Sequence, residues 1–251
     1  MKAIAKRARA ELPVLSPEAH RFADEGYVNL LGAFANVDAF NRVIEAIVRE
    51  NASKPVFMRY EKFFTLDEIG FTYEKFASTS YMLRLPEIHA LSAELLALID
   101  ACRFEDRLAA LLPGAPRMEL LQSLYFPFSS NQASHSDKYL VSPRPYKRET
   151  LCGLWLALDG SSRLNGALFG WSGSHKVAAK PELAGYENYG DYSRDLSVAM
   201  VNAGLKPRFI YANPGDVVVW PGDFVHGVTS PLVTNVPRRS LALHYGAPEA
   251  A

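Results

Sequence analysis

Residues 134–140 read SHSDKYL. In an extended segment side chains alternate between faces, so His135 and Asp137 share one face and Ser136 takes the other. On the inner wall of a small barrel, an imidazole and a carboxylate are costly to bury unless they are paired or bound to a metal. A surface ion pair, a proton-transfer pair and two metal ligands are the open readings. The rest of the chain has to separate them.

Around this stretch the pattern is one of short strands. MELLQSLYF (118–126), SHSDKYL (134–140), TLCGLWLAL (150–158), ALFGW (167–171), RFIYA (208–212), DVVVW (216–220) and RRSLALHY (238–245) are separated by Gly, Pro, Asn and Ser clusters. Such spacing suggests a sandwich or barrel. Upstream the chain is mainly helical. Ser16-Pro17-Glu18 starts a helix with a cap and a first-turn proline, and YVNLLGAF (27–34) reads as a short strand and turn. Phe40, Val43, Ile44, Ile47 and Val48 give residues 37–50 an amphipathic helical period. Residues 86–101 repeat that period, and 103–112 form a shorter helix. The expected architecture is mainly β with flanking helices (α+β), a barrel or jelly roll in one domain over 1–251. Helices occupy about 17–112, the barrel about 117–246, and an insertion about 178–207, partly helical around Tyr192–Ala203.

Composition narrows the class. The 251 residues are 49% hydrophobic and 22% charged, ordinary for a globular chain. Lys+Arg and Asp+Glu both number 27, so charge suggests neither a nucleic-acid nor a membrane-surface partner. The two cysteines, Cys102 and Cys152, form no CxxC, and no disulfide framework is expected. The basic N-terminus lacks the apolar core of a signal peptide, and no run is long enough to span a membrane. A cytoplasmic location is expected. Monomer and homodimer both remain open.

A third ligand would turn His135 and Asp137 into a metal site, and His226 is the best candidate. It follows NPGDVVVWPGDFVHG (213–227), an apolar strand ending in a polar turn. Two histidines and one carboxylate make the facial triad that holds non-haem Fe(II) with positions left open. Zinc catalytic sites more often use other sets. Oxygenases of this kind need a dicarboxylate cosubstrate, 2-oxoglutarate, whose far carboxylate requires a buried cation. A guanidinium offers a planar fork and keeps its charge. Arg238 and Arg239 are adjacent, so only one faces inward. Of the remaining histidines, His20 and His89 read as helix surface or packing residues and His175 as a turn residue, while His244, on the same face as Arg238, reads as a satisfied core histidine, with a place lining the barrel as the alternative.

With those residues in place, the chain resembles the phytanoyl-CoA dioxygenase (PhyH) family of Fe(II)/2-oxoglutarate-dependent oxygenases. The matching stretches are HSD (135–137), GLWLALD (153–159), NGALFGWSGSHK (165–176), GDVVVWPGDFVHG (215–227) and PRRSLALHY (237–245), after an opening EGYVNLLGAF (25–34). The resemblance covers about residues 17–246. It implies a double-stranded β-helix with His135, Asp137 and His226 as iron ligands. It implies that Arg238 holds the distal 2-oxoglutarate carboxylate and that Trp155 packs near the cosubstrate. The strand face Gly153, Trp155, Ala157 is small-large-small, which independently suits a wall with room for ligand. Some members have a serine two residues after the distal histidine. Here Val228 stands there, so Thr229 or another hydroxyl must serve, or the bond is missing. Ser172 also replaces a proline usual in the WSGSHK turn.

The activity implied is hydroxylation of an unactivated C–H bond of a small-molecule metabolite, with succinate and CO2 released, O2 consumed and ascorbate expected to stimulate. Halogenation normally lacks the carboxylate ligand, and Asp137 argues against it. A cupin-like isomerase or hydrolase working without 2-oxoglutarate is an alternative that Arg238 opposes. A non-catalytic binding module of the same fold is another, opposed by the intact triad. The aromatic stretch FMRYEKFFTLDEIGFTYEKF (57–76) reads equally as pocket entrance or as an ordinary loop and hairpin. Lys138, Arg144, Lys147 and Arg148 in the loop after Asp137 would suit an anionic substrate, with a merely solvated loop as the blander reading.

Overall fold

Strand β6 (Cys152–Ala157) divides its side chains between two cores, and this division sets the architecture. Leu154 and Leu156 pack with Val217, Val219, Leu241 and Leu243 under the N-terminal helices. Trp155 and Ala157, on the opposite face, pack with Val218, Trp220, Ala242 and Leu168. The computed structural model describes residues 15–59, 62–70, 83–141, 145–233 and 236–249.

The larger sheet has six strands in the order β1-β9-β6-β11-β5-β4, all antiparallel. These are β1 (Val28–Leu30), β4 (Leu85–Pro86), β5 (Glu119–Phe126), β6, β9 (Val217–Pro221) and β11 (Ser240–Gly246). A three-stranded sheet, β10-β7-β8, is built from β7 (Leu168–Trp171), β8 (Pro207–Ile210) and β10 (His226–Val228). Both sheets contribute to the second core, which makes the expected double-stranded β-helix. A hairpin of β2 (Phe57–Arg59) and β3 (Lys62–Phe64) stands beside it.

The outer face of the larger sheet is covered by helices. In α2 (Val37–Glu50) the periodic residues Phe40, Val43, Ile44, Ile47 and Val48 are all buried. Each such side chain is worth roughly 1.5–3 kcal/mol on burial. In α1 (Pro17–Glu25) the Ser16 hydroxyl accepts from the Ala19 N–H at 3.1 Å, and Gly26 ends the helix at φ +82°, a conformation that glycine adopts freely. The single helix expected over 86–101 is instead a short 3₁₀ turn, Ile88–Leu91, followed by α3 (Ala93–Ala101). Ser92 separates them by accepting from the Leu95 N–H at 3.2 Å, so a new N-cap outcompetes a continuous apolar period. Helix α4 (Phe104–Leu111) completes this layer.

The insertion folds as α5 (Tyr189–Asn202), whose Tyr192, Leu196 and Met200 pack with Trp171 and Val225 on the outside of the smaller sheet. Of the 57–76 stretch, residues 60–61 and 71–76 lie outside the described residues. No helix among the described residues is long and apolar enough to cross a membrane.

Candidate metal centre

His135 does not sit in a strand. It makes an isolated bridge to His226, each backbone N–H donating to the other's carbonyl with N···O distances of 2.9 and 3.0 Å, and the chain then turns at once into a 3₁₀ segment, Asp137–Tyr139. The strand expected over 134–140 is therefore corrected. Ser136 Oγ and the Lys138 N–H both reach the Gly222 carbonyl, at 2.7 and 3.0 Å, and draw the chain away from the sheet. His226 opens β10.

The bridge brings three side chains together. Ligand atoms of His135, Asp137 and His226 lie within 4.8 Å of one another, all buried. Asp137 Oδ1 is 3.5 Å from His135 Nε2 and 3.8 Å from His226 Nε2. His135 Nδ1 lies 2.9 Å from the Ala133 carbonyl, and His226 Nδ1 lies 3.2 Å from that of Phe224. A carbonyl only accepts, so in both rings the proton belongs on Nδ1 and the Nε2 lone pair is left for a metal. Burial pushes the His226 pKa down to about 4, so the ring is neutral at pH 7, as a ligand must be. Burial alone would raise the Asp137 pKa, but His226, His244 and His135 outweigh it and hold it well below the usual carboxylate range. Two imidazoles and one carboxylate fit a divalent cation by donor type and spacing.

The three side chains line a cavity of about 570 Å³ that Trp155 and Arg238 also line. Arg238 is 2% exposed, donates from Nε to the Gly166 carbonyl at 3.0 Å, and lies over the Trp155 ring with its guanidinium carbon 4.7 Å from the centroid. Its Nη2 is buried with no partner. Burial lowers its pKa to about 9, which still leaves it charged at neutral pH. Arg239 faces the other way, onto Asp159 and Glu45 at 3.0 and 2.8 Å.

Two expectations need correction. Thr229 does not line the cavity. Its Oγ1 accepts from the Ala167 N–H at 3.0 Å and is used in joining β10 to the start of β7. The hydroxyl beside Arg238 belongs to Ser240, whose Oγ is 3.3 Å from Arg238 Nη1. Its place two residues after Arg238, at the first position of β11, was the available signal. His244 is not a satisfied core residue, because it lines the cavity with Nε2 3.4 Å from Asp137 Oδ2 and Nδ1 without a partner.

Sequence reasoning also missed Trp220, whose indole N–H donates to Asp137 Oδ2 at 2.7 Å, and Met58, Arg84 and Tyr189, which line the cavity. In the basic loop, Lys138 pairs with Asp223 at 3.1 Å, Lys147 and Arg148 are exposed and do not line the cavity, and Arg144 lies outside the described residues. His175 is a turn residue as expected, with Nε2 3.0 Å from the Ala23 carbonyl.

A two-histidine, one-carboxylate cluster inside a double-stranded β-helix, with a buried arginine in the same cavity, defines the class of Fe(II)/2-oxoglutarate-dependent enzymes. The chain belongs to the phytanoyl-CoA dioxygenase (PhyH) family, whose sequence model matches residues 22–240. Members of this family use Fe(II), 2-oxoglutarate and O2. No curated protein matches the sequence.

Among solved structures, the chain resembles the α-ketoglutarate-dependent carbocyclase SnoK from nogalamycin biosynthesis at 16% identity and TM-score 0.69, over 93% of this chain and 84% of that one. The epimerase SnoN of the same biosynthesis matches at 18% identity and TM-score 0.64, over 92% and 82%. EctD from S. alaskensis with bound Fe matches at 20% identity and TM-score 0.66, over 97% and 80%. At these identities the likeness is one of fold.

Proposed function

We propose that the protein is an Fe(II)- and 2-oxoglutarate-dependent hydroxylase of a small-molecule metabolite. The observation that carries the reading is the intact His135–Asp137–His226 cluster sharing one cavity with the buried, incompletely bonded Arg238. In this reading His135 Nε2, His226 Nε2 and Asp137 Oδ1 hold the iron. Arg238, backed by the Trp155 ring and beside the Ser240 hydroxyl, holds the far carboxylate of 2-oxoglutarate. A charged fork in a dry pocket binds a carboxylate far more strongly than it would in water. The small side chain of Ala242 leaves space that a ligand would fill, and Leu124, Leu168 and Val228 exclude water. Iron and 2-oxoglutarate, when bound with O2, supply the oxidising power to break an unactivated C–H bond, with succinate and CO2 released.

An anionic substrate is supported only by Arg84, a second cation among the described lining residues. A second outcome has specific support, because SnoN is an epimerase and SnoK a carbocyclase on the same fold. Succinate release screened across a metabolite library, with Fe(II), ascorbate and 2-oxoglutarate, tests the reading. Product mass then separates the outcomes: gain of one oxygen for hydroxylation, no change for epimerisation, loss of two hydrogens for ring closure. No succinate above the substrate-free rate with any metabolite, together with no 2-oxoglutarate binding, would overturn it.

A further inference from the structure

We propose that Trp220 and His244 are positioning residues that hold Asp137 to a metal through one oxygen only, by engaging the other oxygen from the protein side. The inference rests on the metal reading of His135, Asp137 and His226. The two carboxylate oxygens have different surroundings. Oδ1 faces the Nε2 atoms of His135 and His226. Oδ2 accepts the 2.7 Å hydrogen bond from Trp220 and lies 3.4 Å from His244 Nε2. An indole nitrogen only donates, so the sense of the Trp220 bond is fixed.

The backbone is shaped to admit this contact. Gly153 is the cross-strand partner of Trp220 on β9 and of His244 on β11, so it lies between the two. A Cβ there would come within 2.5 Å of Trp220 Nε1 and 2.9 Å of Asp137 Oδ2. Only a hydrogen fits beneath that bond. The indole also packs against the His226 ring, with centroids 4.4 Å apart, which restricts its rotation.

His244 contrasts with the two ligand histidines. They spend Nδ1–H on carbonyls and leave Nε2 free, whereas His244 turns Nε2 toward a carboxylate and leaves Nδ1 buried without a partner. An unsatisfied buried acceptor destabilises a fold, so packing alone does not account for an imidazole there. A donor role toward Oδ2 does. A carboxylate with both oxygens free can chelate an ion and fill a coordination position that this ligand set otherwise leaves open. Donors on Oδ2 disfavour that mode and fix the direction of Oδ1.

Titration of the apo protein with Co(II), a coloured stand-in for Fe(II), tests the role without turnover. Trp220→Phe keeps a ring and removes the donor, and His244→Leu removes the second contact. Each should weaken Co(II) binding by about 10–100-fold, the range found for outer partners of metal ligands, and Trp220→Phe should change the d–d bands of the bound ion. A metal-free measurement stands beside it. The chain has three tryptophans, so the indole N–H region of its NMR spectrum is simple, and Asp137→Asn should displace the Trp220 resonance. Where Trp220→Phe does not fold, Trp155→Phe and Trp171→Phe assign that resonance by elimination. Both variants binding Co(II) within about twofold of the native chain, far short of the effect of lost outer partners, would overturn the proposal. So would an indole resonance indifferent to Asp137→Asn. Failure of the native chain to bind Co(II) at all would instead overturn the metal reading, while the indole resonance would still report the contact itself.

Discussion

At Asp137 a buried carboxylate remains ionised because three imidazoles surround it. Asp137→Ala, or His226→Ala, should abolish stoichiometric Fe(II) binding and all coupled succinate formation, read by metal titration and turnover; a near-native hydroxylation rate in Asp137→Ala would refute the assignment. The neighbouring arginines separate more finely. Arg238→Ala should weaken 2-oxoglutarate binding by a few kcal/mol, since a buried carboxylate would lose a charged two-point partner. Arg239→Ala should leave that KM unchanged and lower stability by about 1 kcal/mol or less, because its partners are partly solvated. The reverse ranking would mean that the wrong arginine faces the cosubstrate. His135, Asp137 and His226 were legible from type and spacing, whereas of the two adjacent arginines only the family resemblance singled out Arg238. Trp220 and His244 were not, because their meaning depends on which carboxylate oxygen each one meets across the barrel.

Elements were readable where local periodicity agreed with the final burial. Helix α2 is the clearest case, since every residue of its predicted stripe is buried. Residues 134–140 are the opposite case. Their path follows from bonds to His226 and Gly222, far along the chain, and no local pattern encodes those. The break at Ser92 was encoded locally but was outweighed by a run of apolar spacing. Ser92→Ala should therefore cost about 1 kcal/mol in urea unfolding, while Ser92→Asp should be near neutral; no loss on removing the hydroxyl would deny the cap. Within α5, Leu196 is fully enclosed between the helix and β7. Leu196→Ala should cost about 2–5 kcal/mol, seen as a lower Tm, and a change below about 0.5 kcal/mol, the size of an ordinary surface substitution, would mean that α5 is not docked as described.

For the whole molecule, the buried centre makes stability depend on pH. An unfolded chain protonates histidine near its ordinary pKa of 6.5, whereas burial in the fold lowers that of His226 to about 4. Between these values the unfolded state binds more protons, so unfolding becomes easier as pH falls. The contribution is complete above about pH 6.5 and is lost progressively toward pH 4. Asp137 adds a loss below its ordinary value of 3.8. Urea midpoints of the metal-free protein should fall between pH 6.5 and 4, and a flat profile there would contradict a neutral, enclosed His226. The class of fold could be read from the run of short, turn-punctuated strands such as β9, but the sheet order β1-β9-β6-β11-β5-β4 could not, since pairing between distant strands leaves no short-range mark. The adjacent arginines just before β11 bear on how that order is kept free of error. A slip of one residue would still seat a guanidinium in the cavity, although Ala242 and His244 would leave its wall. Outside, Asp159 and Glu45 would be left without Arg239, and Leu241 and Leu243 would turn away from the helices that cover them. The register of the inner wall is thus guarded from the outer surface as well, by an ion pair that does not line the cavity.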